Sequence, residues 1–393
     1  MSSTVLVLCL AACCGADAEP LYRSELVFPL HPEHNHAPGV AELPDGELFV
    51  SWYRGSGERR ADDVAVYGAR LKPGASEWSD DFLLVDTPGF PDCNTCLMCD
   101  KDGKLWLFWP IILANTWESC ITHYLVASDP SGDGCPQWDI NGEILLKPDD
   151  FKEAGLKHMD DLLAKLDRPL SEREQGVVDS VRERLGDKLL QRLGWQPRCK
   201  PTVLPSGRIL LPLYSDTYSL SIMALSHARG KTCYAIQPIF GYGGIQPAVL
   251  RRTDGTLLAY MRENGPYDQI KVCESTDDGL TWGEVYLSEL PNPGAGLDGV
   301  VLASGRWLLI YNDTKRGRSS LAVSLSEDEG QTWKYTRHLE RHDSGSYHYP
   351  AIIQGRDGTI HAVYSYFVRD GEREGKSMKH AAINEAWIMQ GDR

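Results

Sequence analysis

Two eight-residue stretches with the same pattern decide the fold. They read STDDGLTW at 275–282 and SEDEGQTW at 326–333. Both fit S-x-D-x-G-x-T-W and start 51 residues apart. The aspartate and glycine favour a tight turn, the serine and threonine can bond its backbone, and the tryptophan can fill the space between neighbouring units. A repeat near this length is typical of propeller blades.

A weaker marker extends the repeat along the chain. Six stretches combine a short turn around glycine with a following apolar strand, which is a strong hairpin signal. They are PDGEL at 44–48, DGKL at 102–105, PSGRI at 205–209, DGTL at 254–257, ASGRW at 303–307 and DGTI at 357–360. Successive glycines are 57, 104, 48, 50 and 53 residues apart. The sequence therefore predicts an all-β, six-bladed β-propeller, with an insertion in the one long interval.

The long interval contains a segment with helical spacing at about 150–195. Apolar residues recur every three or four positions within 154–166 and 171–193. Ser171 and Glu174 have the spacing of a capping box. We expect a helical hairpin between blades two and three that covers the structure, or alternatively a lid over the pocket rim.

Length and charge limit the class of protein. The 393 residues could form two domains, but repeats along the whole chain favour a single propeller domain at 19–393. The net charge of −15 argues against nucleic acid and anionic membrane surfaces as partners.

The N-terminus indicates export. Residues 4–15 form an apolar run that is too short to span a bilayer, and Ala16-Asp17-Ala18 follows as a cleavage site. We interpret residues 1–18 as a signal peptide and expect a secreted, periplasmic or cell-surface protein. A lipid anchor on Cys13 is the alternative. No other segment is long and apolar enough to cross a membrane.

Eight cysteines follow the cleavage site, an even number that permits disulfides in an exported chain. Cys93, Cys96 and Cys99 have C-x-x-C-x-x-C spacing, which also suggests a metal cluster. They fall where an inner strand belongs, and no fourth ligand follows closely. Buried or disulfide-bonded cysteines are therefore the better interpretation, and we expect no metal and no organic cofactor.

The repeat also predicts a site, because equivalent ends of the inner strands converge around a propeller axis. The positions that begin the inner strands are His36, Asn94, Arg198 or Lys200, Gln246, Asp298 and Tyr349. The positions that return to the same rim are Arg54, Trp109, Asp216, Arg262, Asn312 and Tyr366. Arg198, Arg262 and Arg318 could all reach this rim. Because arginine binds carboxylates through paired hydrogen bonds, they suggest an anionic ligand.

The chain resembles the sialidase (neuraminidase) superfamily, in its BNR/Asp-box repeat-like branch, over nearly all of the mature sequence. The resemblance is strong in LPNP at 290–293, in LGW at 193–195 with Lys200-Pro201, in LSEDEG at 325–330, and in Lys379-His380 with Asn384-Glu385. The S-x-D-x-G-x-T-W repeats are similar to its Asp-boxes. These features concern architecture, so they say little about the substrate.

The resemblance implies roles for particular residues. Arg262 and Arg318 match the second and third arginines that hold the sialic acid carboxylate. Tyr349 matches the nucleophile, with Tyr347 as a close rival. Asp62 or Asp63 lies about where the acid belongs.

Two positions depart from the family pattern. His36, in His36-Ala37-Pro38, stands where the first arginine is expected, and Gln246 stands where the glutamate partner of the tyrosine is expected. A glutamine cannot act as a base, whereas His36 can serve as a clamp or a proton carrier.

Three hypotheses follow. The first is an exo-acting glycosidase that removes a terminal acidic sugar, using Tyr349, Asp62 or Asp63, His36 and Gln246 in catalysis. Its substrate-binding candidates are Arg262, Arg318, Arg198, Asn94, Asp298 and Arg54. The second is a lyase in which His36 or Tyr349 removes the proton beside a uronate carboxylate. The third is a glycan-binding propeller without activity. All three expect an acidic glycan as partner.

Overall fold

The computed structural model describes residues 19–227, 232–235, 238–241, 243–371 and 373–392. Within them the strands form six antiparallel sheets. Strand β1 is Tyr22–Leu26; blade one is β2 His34–Glu42, β3 Leu48–Gly55, β4 Ala65–Leu71 and β5 Phe82–Val85; blade two is β6 Cys96–Cys99, β7 Leu105–Ile112, β8 Cys120–Ala127 and β9 Ile140–Glu143. Blade three is β10 Gln196–Pro197, β11 Thr202–Val203, β12 Ile209–Ser215, β13 Leu220–His227 and β14 Thr232–Ala235.

The remaining blades have the same arrangement. Blade four is β15 Gly244–Arg251, β16 Leu257–Glu263, β17 Gln269–Ser275 and β18 Tyr286–Pro291; blade five is β19 Asp298–Val301, β20 Trp307–Tyr311, β21 Ser320–Ser326 and β22 Tyr335–Arg341. Blade six is β23 Gly345–Gln354, β24 Ile360–Asp370 and β25 Arg373–Ile383, and the helix α4 at Glu385–Met389 follows it. The six-bladed propeller predicted from the glycine spacing is confirmed.

The ring closes between an N-terminal and a C-terminal strand of the described residues. Strand β1 pairs antiparallel with β25, from Tyr22 opposite Ile383 to Leu26 opposite Lys379. It becomes the outer strand of blade six, whose order is β1-β25-β24-β23. An N-terminal strand therefore completes the blade that the C-terminal strands begin.

The two Asp-box hairpins make the same set of bonds. Asp277 accepts from Thr281 N at 2.9 Å and from Thr281 Oγ1 at 2.6 Å. Asp328 accepts from Thr332 N at 2.8 Å and from Thr332 Oγ1 at 2.6 Å. Both hairpins therefore have the turn chemistry that the sequence predicted.

The insertion contains helices α1 Phe151–Leu163, α2 Glu172–Gly186 and α3 Lys188–Arg192. Ser171 and Glu174 form the predicted capping box. The second predicted helix is interrupted, because Asp187 is extended and its side chain caps α3. Most of its apolar stripe stays exposed, and Leu185 is the buried member of α2.

The insertion packs beside blades two and three. Phe151 is buried and lies against Trp195 and Tyr218, with ring centroids 6.1 and 4.9 Å apart. Leu185 joins the same core cluster. These contacts favour the structural cover over the lid.

The described cysteines are free thiols rather than disulfide partners. Cys93, Cys96, Cys120, Cys199 and Cys273 are buried, Cys99 is partly buried and Cys135 is exposed. The buried-thiol alternative therefore describes most of them. Burial raises the pKa of the Cys99 thiol to about 11.

Two sequence expectations are not tested by these features. The proposed signal peptide at 1–18 and the alternative anchor at Cys13 lie outside the described residues, and the assignment of 19–393 to one domain stays a prediction. Within the described ranges, the longest helices are too short or too polar to cross a membrane.

Candidate functional site

Three inner strands carry the same backbone irregularity at one end of the axis. In β2, β15 and β23 the pairing register shifts between His36 and Gly39, between Ile245 and Ala248, and between His348 and Ala351. Each bulge contains a non-glycine residue in the left-handed region followed by proline. These residues are Ala37 at φ 53°, Gln246 at φ 57° and Tyr349 at φ 46°. Such conformations cost about 1–3 kcal/mol each and are concentrated at functional sites.

Tyr349 is surrounded by arginine side chains. Arg262 Nη1 donates a hydrogen bond to its phenol oxygen at 3.0 Å. The guanidinium carbons of Arg198 and Arg318 lie 5.0 and 5.6 Å from its ring centroid. Burial alone would raise the pKa of the phenol, but Arg262, Arg318 and a hydrogen bond from Gln246 outweigh it, so the pKa lies below its ordinary value. This makes the phenol a better nucleophile at neutral pH.

Gln246 is buried at the axial end of blade four. Its side chain helps to lower the pKa of the Tyr349 phenol, while its Oε1 has no hydrogen-bond partner among the described residues. Gly296 lets the two side chains approach each other. A Cβ at that position would lie 2.5 Å from Tyr349 Cδ1 and 3.0 Å from Gln246 Oε1.

Arg318 is held by a chain of polar groups. Its Nη2 donates to Gly294 O at 2.8 Å, and its Nη1 lies 2.6 Å from His348 Nδ1. Since a guanidinium only donates, His348 accepts at Nδ1 and carries its proton at Nε2, 2.7 Å from Ser346 Oγ. Burial and the Arg318 charge hold the pKa of His348 well below its usual range. His348 is therefore neutral and orients Arg318.

His36 lies within a cluster of aromatic rings. Its ring centroid is 4.5 Å from Tyr349, 5.2 Å from His348 and 5.4 Å from Phe367. Its Nδ1 is 2.9 Å from Ser365 Oγ. Burial, followed by the neighbouring histidines and arginines, places the pKa of His36 well below its usual range. His36 therefore supplies a neutral hydrogen-bonding group where the family pattern has a positive charge.

Blades two and three add a polar chain that ends in a carboxyl group. Asn94, also in the left-handed region at φ 38°, donates to Gln196 Oε1 at 2.7 Å and to Tyr214 at 3.2 Å. Gln196 donates to Asp216 Oδ2 at 3.0 Å. Burial raises the pKa of Asp216, although the Arg262 charge opposes this shift. The repeat places Asp216 at the rim, whereas its burial is visible only in the structure.

Three predicted binding residues have mainly structural partners. Arg198 is buried and donates to Pro350 O at 2.9 Å and Pro38 O at 3.4 Å, so it ties blades one and six together beneath the Tyr349 ring. Asp298 pairs with Lys200 at 2.8 Å and accepts from a backbone amide of blade six.

Arg54 is the third of these residues. It pairs with Asp81 at 2.5 Å and stacks on Tyr67. This contact directs its charge along blade one instead of toward Tyr349.

The two predicted acids are exposed and engaged elsewhere. Asp62 accepts from Asn115 at 2.7 Å, and Asp63 accepts from Ser56 Oγ at 2.9 Å. The carboxylate from this loop that reaches the aromatic cluster is Glu58, which accepts from Tyr53 at 3.0 Å and lies 3.3 Å from His34 Nε2. Burial raises the pKa of Glu58, but the His34 and Tyr53 contacts outweigh it and the pKa is lowered.

Comparison with known proteins agrees with this architecture. Residues 188–362 match the BNR repeat-like domain. No curated protein sequence matches the chain significantly. Among solved structures, a protein of unknown function from Dyadobacter fermentans has a TM-score of 0.67 at 14% identity, covering 92% of this chain and 99% of the other.

Two sialidase structures are also similar. The NanB sialidase of Streptococcus pneumoniae has a TM-score of 0.67 at 11% identity, covering 93% of this chain and 71% of its own. The intramolecular trans-sialidase of Ruminococcus gnavus has a TM-score of 0.64 at 12% identity, covering 91% and 95%. The chain is therefore a six-bladed propeller of the sialidase fold, and its resemblance to the BNR repeat-like branch of that superfamily is confirmed.

Proposed function

We propose that the protein is an exo-acting glycosidase that removes a terminal carboxylate-bearing sugar from a glycan. The observation that carries this proposal is the Tyr349 phenol, bonded by Arg262 and flanked by Arg318 at the end of the axis. Two guanidinium groups beside a phenol of lowered pKa combine an anion-binding site with a nucleophile. The likeness to sialidases, whose substrates are acidic sugars, supports the same substrate class.

The proposed reaction retains the configuration of the sugar. The Tyr349 phenolate forms a bond to the anomeric carbon while the bond to the leaving oxygen breaks, and that oxygen takes a proton from Asp216. Water then displaces the phenolate as Asp216 takes back a proton. An uncharged or charge-compensated tyrosine approaches an anionic sugar with less repulsion than a carboxylate nucleophile, and sialidases are the known exception to the two-carboxylate scheme.

Asp216 is assigned as the acid in place of Asp62 and Asp63 because of its surroundings. Its pKa is raised by burial, so a larger fraction is protonated near neutral pH. Glu58, by contrast, has a lowered pKa and is ionised there.

The test is turnover of fluorogenic α-sialosides and of analogous glycosides of other acidic sugars. We expect release by the wild type and a loss on the order of 10³-fold or more in kcat/KM for Tyr349→Phe. Tyr286→Phe is the matched control, because Tyr286 lies on an outer strand and bonds Glu274. Equal rates for Tyr349→Phe and the control would overturn the nucleophile role.

A second candidate is a uronate lyase, which the neutral histidines and Gln246 favour. Among the residues that the structure describes, no carboxylate hydrogen-bonds the Tyr349 phenol, whereas His36 lies against its ring. A lyase removes the proton beside the sugar carboxylate and leaves an unsaturated product that absorbs ultraviolet light. Incubation with uronic-acid polymers distinguishes the candidates. A product that absorbs ultraviolet light indicates the lyase. Saturable binding without product from any substrate indicates a glycan-binding propeller without activity.

A further inference from the structure

His36 packs against the Tyr349 ring, and His34 and Glu58 lie close to His36. The proposed glycosidase reaction uses none of the three as nucleophile or acid. His34 and His36 are two residues apart on β2, so their side chains project from the same face of the blade. Glu58 comes from the loop after β3. One potential ligand atom from each of the three lies within 4.8 Å of the others.

We propose that His34, His36 and Glu58 bind a divalent transition-metal ion, with zinc as the best match. Two imidazoles and a carboxylate are ligands that zinc accepts. Three protein ligands leave one position open, as is typical of catalytic zinc sites. The site was not expected from the sequence, where only the cysteines suggested a metal.

One pair of ligand atoms already has suitable spacing. His34 Nε2 and Glu58 Oε1 are 3.3 Å apart. Two ligands on a tetrahedral zinc ion with bonds of about 2.0–2.1 Å are separated by about 3.3–3.4 Å. A ligand atom of His36 lies within 4.8 Å of one on each of these two residues, so His36 must move closer to complete the set.

His36 is oriented by a hydrogen bond at its other nitrogen. Its Nδ1 lies 2.9 Å from Ser365 Oγ, which also accepts from Ala37 N at 3.1 Å. A serine oxygen can accept twice, so Nδ1–H can donate and leave the Nε2 lone pair for the metal. Partners of this kind at the second nitrogen accompany metal-binding histidines.

Glu58 is held in a similar way. The buried Tyr53 donates to its Oε1 at 3.0 Å and lies 3.5 Å from His34 Nε2. Tyr53 is therefore a donor that orients the carboxylate, and its oxygen is close to the place that an ion would take.

Nearby positive charge limits the affinity. Lys376 Nζ lies 3.4 Å from His34 Nδ1. An ammonium there repels a cation and favours the tautomer of His34 with its proton at Nε2, which opposes metal binding at that atom. Removing this lysine should therefore strengthen binding. The ion would adjoin the candidate active site, since the His36 ring is 4.5 Å from that of Tyr349.

The experiment is zinc titration of the chelator-treated full-length protein by calorimetry, with bound metal counted by elemental analysis. We expect one zinc ion per chain, affinity reduced at least about tenfold in Glu58→Gln and His36→Ala, and affinity increased in Lys376→Met. His123→Gln is the control, because His123 pairs with Glu143 on blade two at 3.8 Å and should leave binding unchanged.

A second measurement tests the metal site in the wild type alone, so it does not depend on whether the variants fold. Cobalt(II) added to the wild type should give the intense visible absorption of a tetrahedral site, which zinc should abolish. The proposal is overturned if the wild type retains no zinc, or if folded Glu58→Gln binds as tightly as the wild type. None of these readouts depends on glycosidase activity.

Discussion

The Asp-box hairpins repeat a set of side-chain bonds, whereas the bulges in β2, β15 and β23 at the end of the axis (the axial bulges) repeat a backbone conformation. The hairpins around Asp277 and Asp328 keep the same side chains and the same bonds. The bulges keep the same backbone shape while the left-handed residue changes from Ala37 to Gln246 to Tyr349. The fold therefore depends on side chains at the hairpins, whereas at the bulges the backbone is constant and the side chains are free to differ in function.

The contrast between structural hairpins and functional bulges would fail most clearly if Arg262, beside Tyr349, served the fold and not the reaction. Arg262→Leu should lower kcat/KM about 10²–10³-fold, because it removes the hydrogen bond and the charge that stabilise the Tyr349 phenolate. The pKa of Tyr349 should rise, so the acid limb of the pH–rate profile should move to higher pH. Unfolding experiments should show little change; a large destabilisation with normal kinetics of the folded fraction would contradict the assignment.

Asp216→Asn tests the acid at the same end of the axis. We expect about a 10²-fold loss with sugars that have poor leaving groups, and less with activated phenols, which need no proton. Because burial raises the folded pKa of Asp216, its destabilising contribution appears as pH rises through that pKa. The variant should therefore be at least as stable as the wild type above neutral pH, measured by denaturant unfolding. Equal losses with both leaving groups would argue against this role.

Gly330→Ala should act on stability alone. A Cβ at this Asp-box glycine would collide with Tyr260 Oη and come within 3.0 Å of the Trp307 ring, at φ +84°. We expect a cost of about 2–4 kcal/mol in the free energy of unfolding, with kcat/KM per folded molecule unchanged. Gly305→Ala, at φ +84° in open space, separates backbone strain from collision.

Ala37→Gly should have the smallest effect of these variants, and it should raise the free energy of unfolding where Gly330→Ala lowers it. Glycine removes the strain of a left-handed alanine, so we expect about 0.5–1 kcal/mol of added stability. Thermal unfolding measures the gain. A destabilised variant would show that the Ala37 methyl group, fully buried in the axial core, contributes more than the strain costs.

Most of the fold could be predicted from the sequence, because each blade has a local turn motif that can be recognised in a few residues. Glycine turns such as Gly46 and Gly358 recur at blade spacing, and a long interval between two of them located the insertion. Helix continuity through Asp187 was wrong, because its side chain caps a new helix there.

The site was only partly predictable because counting from a hairpin glycine gives a position along a strand but not the direction of the side chain. It identified Tyr349, Gln246 and Arg262, which lie together. It also selected Arg54 and Asp298, which bond within the scaffold.

The carboxylates beside the site were harder to find. Glu58 comes from a loop that no repeat marks, and it reaches histidines on another strand of the same blade. The role proposed for Asp216 depends on a pKa raised by burial, and burial is known only from the three-dimensional structure.

The pairing of β1 with β25 makes assembly of the protein a late event. Among the described strands β1 is made first, yet its partner comes about 350 residues later, so β1 stays unpaired while blades one to five are synthesised. Contacts of such long sequence separation slow folding. Until β25 emerges, β1 has no partner in blade six and the ring stays open. The order of synthesis therefore makes the appearance of β25 the step at which the ring can close.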